Sequence, residues 1–180
     1  LSHRGGPELV MMGWRDMDRW QTLDDVRRAR ERFRTALRLD SRSIFALSGI
    51  SAAYVAESLS PAGRLSDSDI AEGERAMAQV FALDPNNAGV TFHWTALQIR
   101  RGNADIALPA ILRILKTHPG NSMGWVYLAR LRLSLAQLDQ VLPAVMQVLE
   151  LAEGNVLQTG EACSVAAEAA LMRDAFSQRP

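Results

Sequence analysis

Very few side chains in this sequence could support acid–base or nucleophilic chemistry. His93 and His118 fall on different predicted elements, and His118 stands immediately before Pro119 in a predicted turn. The single cysteine, Cys163, falls on the small-residue face of a predicted helix, where we expect a buried and unreactive thiol. The sequence has no glycine-rich phosphate loop and no metal-ligand spacing. We therefore expect a protein that is not an enzyme, with no catalytic residue, cofactor or metal.

The strongest charge cluster is a run of arginines in the first quarter of the chain. It has two interpretations, a phosphate-binding surface or the solvated outer face of an amphipathic helix. We favour the solvated face, because Ala29, Phe33 and Ala36 alternate with the arginines and no aromatic residue lies on the charged side to stack bases. A later acidic cluster would complement the run in a head-to-tail contact. The two clusters are Arg27, Arg28, Arg30, Arg32, Arg34, Arg38 and Arg42, and Asp67, Asp69, Glu72 and Glu74.

Composition narrows the class of partner. The 180 residues carry a formal net charge of zero, so nucleic acid is not an expected partner. A single cysteine excludes an internal disulfide and fits a reducing, cytoplasmic setting. No apolar run approaches the roughly 20 residues that cross a bilayer, so we expect no membrane association. Because the chain opens on Leu1 and not on methionine, we expect a piece of a longer protein.

The chain repeats itself at an interval of 34 residues. A repeat of this length with two helical segments predicts a helix–turn–helix solenoid. In the third and fourth repeats Asp105 and Asp139 are expected to cap the second helix, so that Pro109 and Pro143 lie close to the helix start and are tolerated. The recurring residues are Pro85 and Pro119, Asp105 and Asp139, Leu108 and Leu142, Pro109 and Pro143, Ala110 and Ala144, and Asn121 and Asn155.

Helix start and stop signals divide the chain further. Thr22 is predicted to cap the second helix with Asp25 as its capping-box partner, and Ser43 to cap the third. Gly102 is predicted to lie in the turn between two helices. We expect a single domain over 1–180, with repeats at 8–40, 44–84, 88–119 and 122–153, a loop insertion at 58–67 within the second repeat, and a capping helix at 156–176.

These residues resemble the tetratricopeptide repeat. The matches to its pattern are Ala29, Phe33 and Ala36 in the first repeat, Ala107, Ile111 and Pro119 in the third, and Leu128, Ala129 and Val145 in the fourth. The departures are Thr95, Ile114 and Val148, each larger than or different from the residue that the pattern prefers. The resemblance implies an all-α, right-handed superhelical α-solenoid of about four antiparallel helix pairs plus a C-terminal capping helix.

A narrower resemblance concerns the first half of the chain. Leu9 followed by Gly13, the segment 29–40 and the ending Ala-Leu-Asp-Pro85 are similar to the tetratricopeptide regions of bacterial signalling proteins. In those proteins the region follows a class III adenylate/guanylate cyclase domain or a winged-helix DNA-binding domain. The resemblance implies a non-catalytic protein–protein interaction and regulatory module. The alternatives are a sensor of a small molecule or nucleotide, with a pocket under the 58–67 loop, and the effector region of a DNA-binding transcriptional regulator.

The resemblance also implies a concave groove formed by the first helix of each pair. Its expected ligand is an amphipathic helix or an extended apolar peptide that bears a carboxylate. The partner would be a protein, including a domain of the parent chain, and self-packing or a homodimer remains the alternative use of the same surface. The groove residues are Phe45, Val55, Phe92, Ile99, Arg100, Met123, Val126, Arg130 and Leu133.

Overall fold

The computed structural model describes residues 5–177, and all regular structure within that range is helical. The all-α prediction is therefore confirmed. One short 3-10 turn, Leu138–Gln140, precedes the eighth α-helix. The helices are α1 Gly5–Arg19, α2 Leu23–Leu39, α3 Ile44–Leu59, α4 Asp67–Leu83, α5 Ala88–Arg100, α6 Ala104–Thr117, α7 Ser122–Ser134, α8 Val141–Leu151 and α9 Val156–Ser177.

The described residues form two compact units, one ending at His93 and the other beginning at Trp94, with the division inside α5. In the first unit α1 packs on α2 and α3, α2 on α3, and α3 on α4. In the second unit α6 packs on α7, α7 on α8, and α9 on both α7 and α8. Each unit thus has its own buried core, which contains aliphatic and aromatic side chains in the first unit and aliphatic side chains in the second.

The turns between helix pairs repeat in atomic detail. The backbone N–H of Asn87 donates to Asp84 O at 3.1 Å, and the N–H of Asn121 donates to His118 O at 3.0 Å. Asn155 closes the following turn in the same way, at 2.8 Å from Ala152 O. In all three turns the asparagine Oδ1 accepts the N–H three residues ahead, so each asparagine caps the helix that follows. Asn87 is a third member of this series that the sequence analysis missed.

Helix bounds follow the same interval in this half of the chain. Helices α5 and α7 both have 13 residues and begin 34 positions apart. The 14 residues of α6 correspond to the 3-10 turn and α8 taken together. The capping box of Thr22 with Asp25 and the capping of α3 by Ser43 are confirmed as well.

The predicted caps at Asp105 and Asp139 are wrong. Gly102, with φ +77°, ends α5 in the left-handed region and delivers the chain into α6 at Ala104, one residue before Asp105. Asp139 lies within the 3-10 turn, so α8 starts afresh at Val141. Pro143 consequently falls in the first turn of α8, where its missing N–H would have no intrahelical partner. Pro109 is deeper inside α6 and does remove an intrahelical bond.

The loop insertion is shorter than 58–67, because α3 continues to Leu59 and α4 begins at Asp67. Gly63 packs against the carbonyl oxygen of Glu57 so closely that no side chain fits there. The N–H of Gly63 also donates to Ser60 O at 3.1 Å. These contacts fold the loop back onto the end of α3.

Candidate functional site

The histidines and the cysteine do not meet in one site. Nδ1 of His93 lies 3.1 Å from Oγ of the fully buried Ser51, and burial lowers the pKa of His93 to about 4. His93 is therefore neutral near pH 7, and its Nδ1 is engaged by a hydroxyl group in the core. Cys163 is exposed and not buried as expected, because Ala162 and Val165 form the inward face of α9. Between residues 5 and 177 no group of three His, Cys, Asp or Glu side chains could hold a metal ion.

The arginine run is only in part a solvated face, since Arg28, Arg38 and Arg42 are exposed but other members pair inside the unit. Arg27 donates from Nε and Nη2 to Oε1 of Glu57 at 3.1 and 2.8 Å, and the Glu57 side chain is 1% exposed. Arg30 is buried too, with Nη1 at 3.3 Å from Glu57 Oε2. Arg34 donates to Glu72 and Asp69 of α4. Asp69 and Glu72 of the acidic cluster therefore pair with α2 inside the first unit. Because these arginines are already neutralised by carboxylates, they offer few free cations to a phosphate.

The nine predicted groove residues are divided between the two units. Phe45 is 73% exposed, whereas Val55 and Val126 are buried and present no surface to a ligand. Phe92, Ile99, Met123 and Leu133 are half-buried, and Arg100 and Arg130 are exposed. Val55 and Val126 belong to the core because they lie on the inward faces of α3 and α7.

Arg130 faces the last helix. Its Nη2 forms an ion pair with Oε1 of Glu161 in α9. A shallow depression of about 600 Å³ runs between α7 and α9, with Met123 and Arg130 on one side and Leu157 and Glu161 on the other. At Arg130, therefore, the predicted groove contacts the closing helix of the same chain.

A larger cleft lies in the first unit, where α1 meets the end of α2 and the start of α3. Its volume is about 1120 Å³ and its surface is mainly apolar. Met11 and Phe45 are 68% and 73% exposed, so the most prominent apolar side chains of this unit stand at the cleft. The apolar lining consists of Pro7, Val10, Met11, Trp14, Ala36, Leu39 and Phe45.

Trp14 fixes the geometry of this cleft. Its indole Nε1 donates to the carbonyl oxygen of Phe45 at 3.3 Å and so ties α1 to the start of α3. Its ring also meets the buried ring of Phe33 edge to face, with centroids 5.5 Å apart. Because α1, α2 and α3 are joined at one indole, the apolar wall is held in place before any ligand arrives.

Charged side chains line the rim of the cleft. Arg15 and Arg19 lie one helical turn apart on α1, with Asp18 between them in sequence and Asp40 at the end of α2. Among the described residues neither Arg15 nor Arg19 forms an ion pair, although Arg28 and Arg32 nearby are both paired with Asp16. These two guanidinium groups are available to a partner.

None of the described helices is both long enough and apolar enough to span a lipid bilayer. Comparison with known proteins returns no matching family model, no matching curated protein and no matching solved structure.

Proposed function

We propose that this chain is a non-catalytic protein-interaction module that binds a helical segment of a partner in the cleft between α1 and the α2–α3 corner. The observation that carries the proposal is the exposure of Met11 and Phe45 on a mainly apolar surface. Large apolar side chains that stand together in water mark a surface that is covered in the working complex. A methionine beside aromatic rings also adapts to different apolar ligands, as peptide-binding surfaces require.

The shape of the cleft favours a helix over a small molecule. Pockets for small ligands enclose most of the ligand in about 300–1000 Å³. This cleft, at about 1120 Å³, is slightly larger than the largest of them, and charged side chains border it at its rim. An amphipathic helix presents a row of apolar side chains to such a surface and keeps its polar side in water.

We further propose a relationship to the tetratricopeptide repeat and a solenoid of antiparallel helix pairs. Support comes from the three asparagine-capped turns at intervals of 34 residues and from the matching helix lengths in the second half of the chain. A role as the interaction and regulatory region of a bacterial signalling protein, such as an adenylate/guanylate cyclase, working in the cytoplasm, belongs to the same proposal. It rests on the resemblance of the first half of the chain.

Binding of a defined peptide tests the proposal. The probe is a fluorescein-labelled amphipathic helical peptide with leucine on one face and glutamate on the other, and the control has the same composition in scrambled order. We expect anisotropy to report a Kd on the order of 10 µM for the probe and no binding of the scrambled peptide. Phe45→Glu should abolish binding while the circular dichroism spectrum is retained. Equal binding of both peptides, or full binding by folded Phe45→Glu, would overturn the proposal.

A further inference from the structure

A second apolar surface lies on α8. Leu142, Met146 and Leu149 are all exposed, and their spacing of four and three residues places them on one side of the helix. The adjoining side of α8 is buried, with Val141, Val145 and Val148 in the core. We call the three exposed side chains the α8 stripe. A helix that is apolar on its outer side as well as its inner side is unusual for a surface helix.

The charged residues of the α8 segment itself are all acidic, and one of them, Asp139, is paired with Arg173 of α9. Residues 138–155 contain three acidic side chains, Asp139, Glu150 and Glu153, and no basic one. Glu150 lies next to Leu149, and Glu153 follows the end of the helix, both exposed to solvent. The α8 stripe is therefore an apolar row bordered by carboxylates.

The cleft of the first unit has the complementary chemistry. Its apolar lining includes Met11 and Phe45. Arg15 and Arg19, which form no ion pair within the described residues, stand at its rim beside Asp18 and Asp40. We propose that the α8 stripe of one copy of this chain docks in the cleft of a second copy, with Glu150 and Glu153 facing Arg15 and Arg19. This inference rests on the proposed helix-binding function of the cleft and names its occupant.

Charge distinguishes α8 from the equivalent helix one repeat earlier. Leu112 of α6 lies 34 residues before Met146 and is also exposed. However, α6 carries Arg113 and Lys116 near its end, where α8 carries Gln147 and Glu150. The basic residues would repel Arg15 and Arg19, so contact with these two arginines favours α8 over α6.

The contact joins two different surfaces and is therefore heterologous. This property permits a complementation test with two charge-reversal variants of the full chain. R15E/R19E has a damaged cleft and an intact α8 stripe, whereas E150R/E153R has the reverse. A solution of either variant alone lacks an intact cleft or an intact α8 stripe. An equimolar mixture contains an intact cleft on one variant and an intact α8 stripe on the other.

Sedimentation velocity measures the outcome. We expect the wild-type mass to rise above the 19.8 kDa of one chain as concentration increases, more steeply at low salt. Each charge-reversal variant should remain monomeric, and the mixture should recover association, which also shows that both variants fold. Met146→Glu should abolish association, and the matched Leu112→Glu should leave it unchanged.

A wild-type chain that stays monomeric at all concentrations would overturn the inference, as would a mixture of folded variants that does not associate. Neither result would touch the proposed function if the leucine–glutamate probe still binds the cleft. If the probe does not bind but the chain still self-associates, the contact between copies does not involve the cleft. That result would overturn both the proposed function and this inference.

Discussion

The ring of Phe33 lies directly against the backbone of Gly49, so that a methyl group at position 49 would stand 2.5 Å from Cε1 of the ring. Gly13 of α1 meets the same ring from another side, at 2.6 Å from the position of its absent Cβ. Phe33 is completely buried between these two glycines. The close approach of α1 and α3 to α2, on which the cleft depends, therefore requires glycine at both positions.

Gly49→Ala should destabilise the protein by roughly 1–3 kcal/mol, because the added methyl group overpacks a rigid aromatic contact. The matched control is Gly160→Ala in α9, where no atom beyond the adjoining residues and the backbone of the helix itself lies within 4 Å of the added carbon. That change should stabilise the protein by up to about 1 kcal/mol through helix propensity. Urea unfolding of the two variants measures both effects, and equal stability of the two would contradict the packing described for Phe33.

The turn inside each of the last two helix pairs gives a second prediction. The N–H of Asn103 donates to Gln98 O at 2.9 Å, and the N–H of Gln137 donates to Arg132 O at 2.8 Å, so the two turns close alike. The left-handed residue is Gly102 in one turn but Ala136, with φ +55°, in the other.

Ala136→Gly should therefore stabilise the protein by about 1 kcal/mol, since it removes the left-handed penalty of a Cβ. Gly102→Ala should cost a similar amount. Thermal unfolding monitored by circular dichroism compares the two variants. A loss of stability in Ala136→Gly would show that the turn does not have this backbone conformation.

The buried carboxylate of Glu57 gives a third prediction. Glu57→Gln removes the one buried carboxylate that Arg27 and the buried Arg30 share and leaves them only the more exposed Asp24 and Asp69, and we expect a loss of roughly 3 kcal/mol. Asp24 also pairs with Arg27 but is exposed, so Asp24→Asn should change stability by less than about 1 kcal/mol. Similar urea midpoints for the two variants would mean that Glu57 is not buried as described.

The fourth prediction concerns pH. The pKa of His93 is lowered to about 4 in the folded chain, whereas the unfolded value is near 6.5. The unfolded state thus binds the extra proton between these values, and stability falls as pH decreases from 6.5 toward 4, at most by about 1.4 kcal/mol per pH unit from this group. In His93→Gln the midpoint of urea unfolding should change less between pH 7 and pH 5 than it does in the wild type. An unchanged slope would show that His93 does not titrate in this way.

Local signals were enough to predict most helix ends. Thr22 and Ser43 cap helices as expected, because capping depends on residues only three positions apart. Asn87 could have been found by extending the series of Asn121 and Asn155 one repeat back. Asp105 was misread, because the conformation of Gly102 sets the start of α6 and leaves the aspartate inside it.

The candidate site was harder to predict, because it depends on contacts between distant residues. Phe45 was expected at a binding surface, but its neighbours Trp14 and Met11 belong to a helix about 30 positions earlier. The burial of Arg30 and Glu57 was missed for a related reason. Charged residues are exposed unless a partner from another element reaches them, and no periodicity in the sequence of α2 reveals that partner.

The most direct test of the docking surface compares two adjacent methionines of α1. Met11 lines the cleft, whereas Met12, 43% exposed, does not. Isothermal titration with the leucine–glutamate peptide should show at least about a tenfold loss of affinity for Met11→Glu, because the new carboxylate would be buried against an apolar ligand. Met12→Glu should bind as the wild type does. Equal affinities in the two folded variants would contradict the claim that this cleft binds a partner.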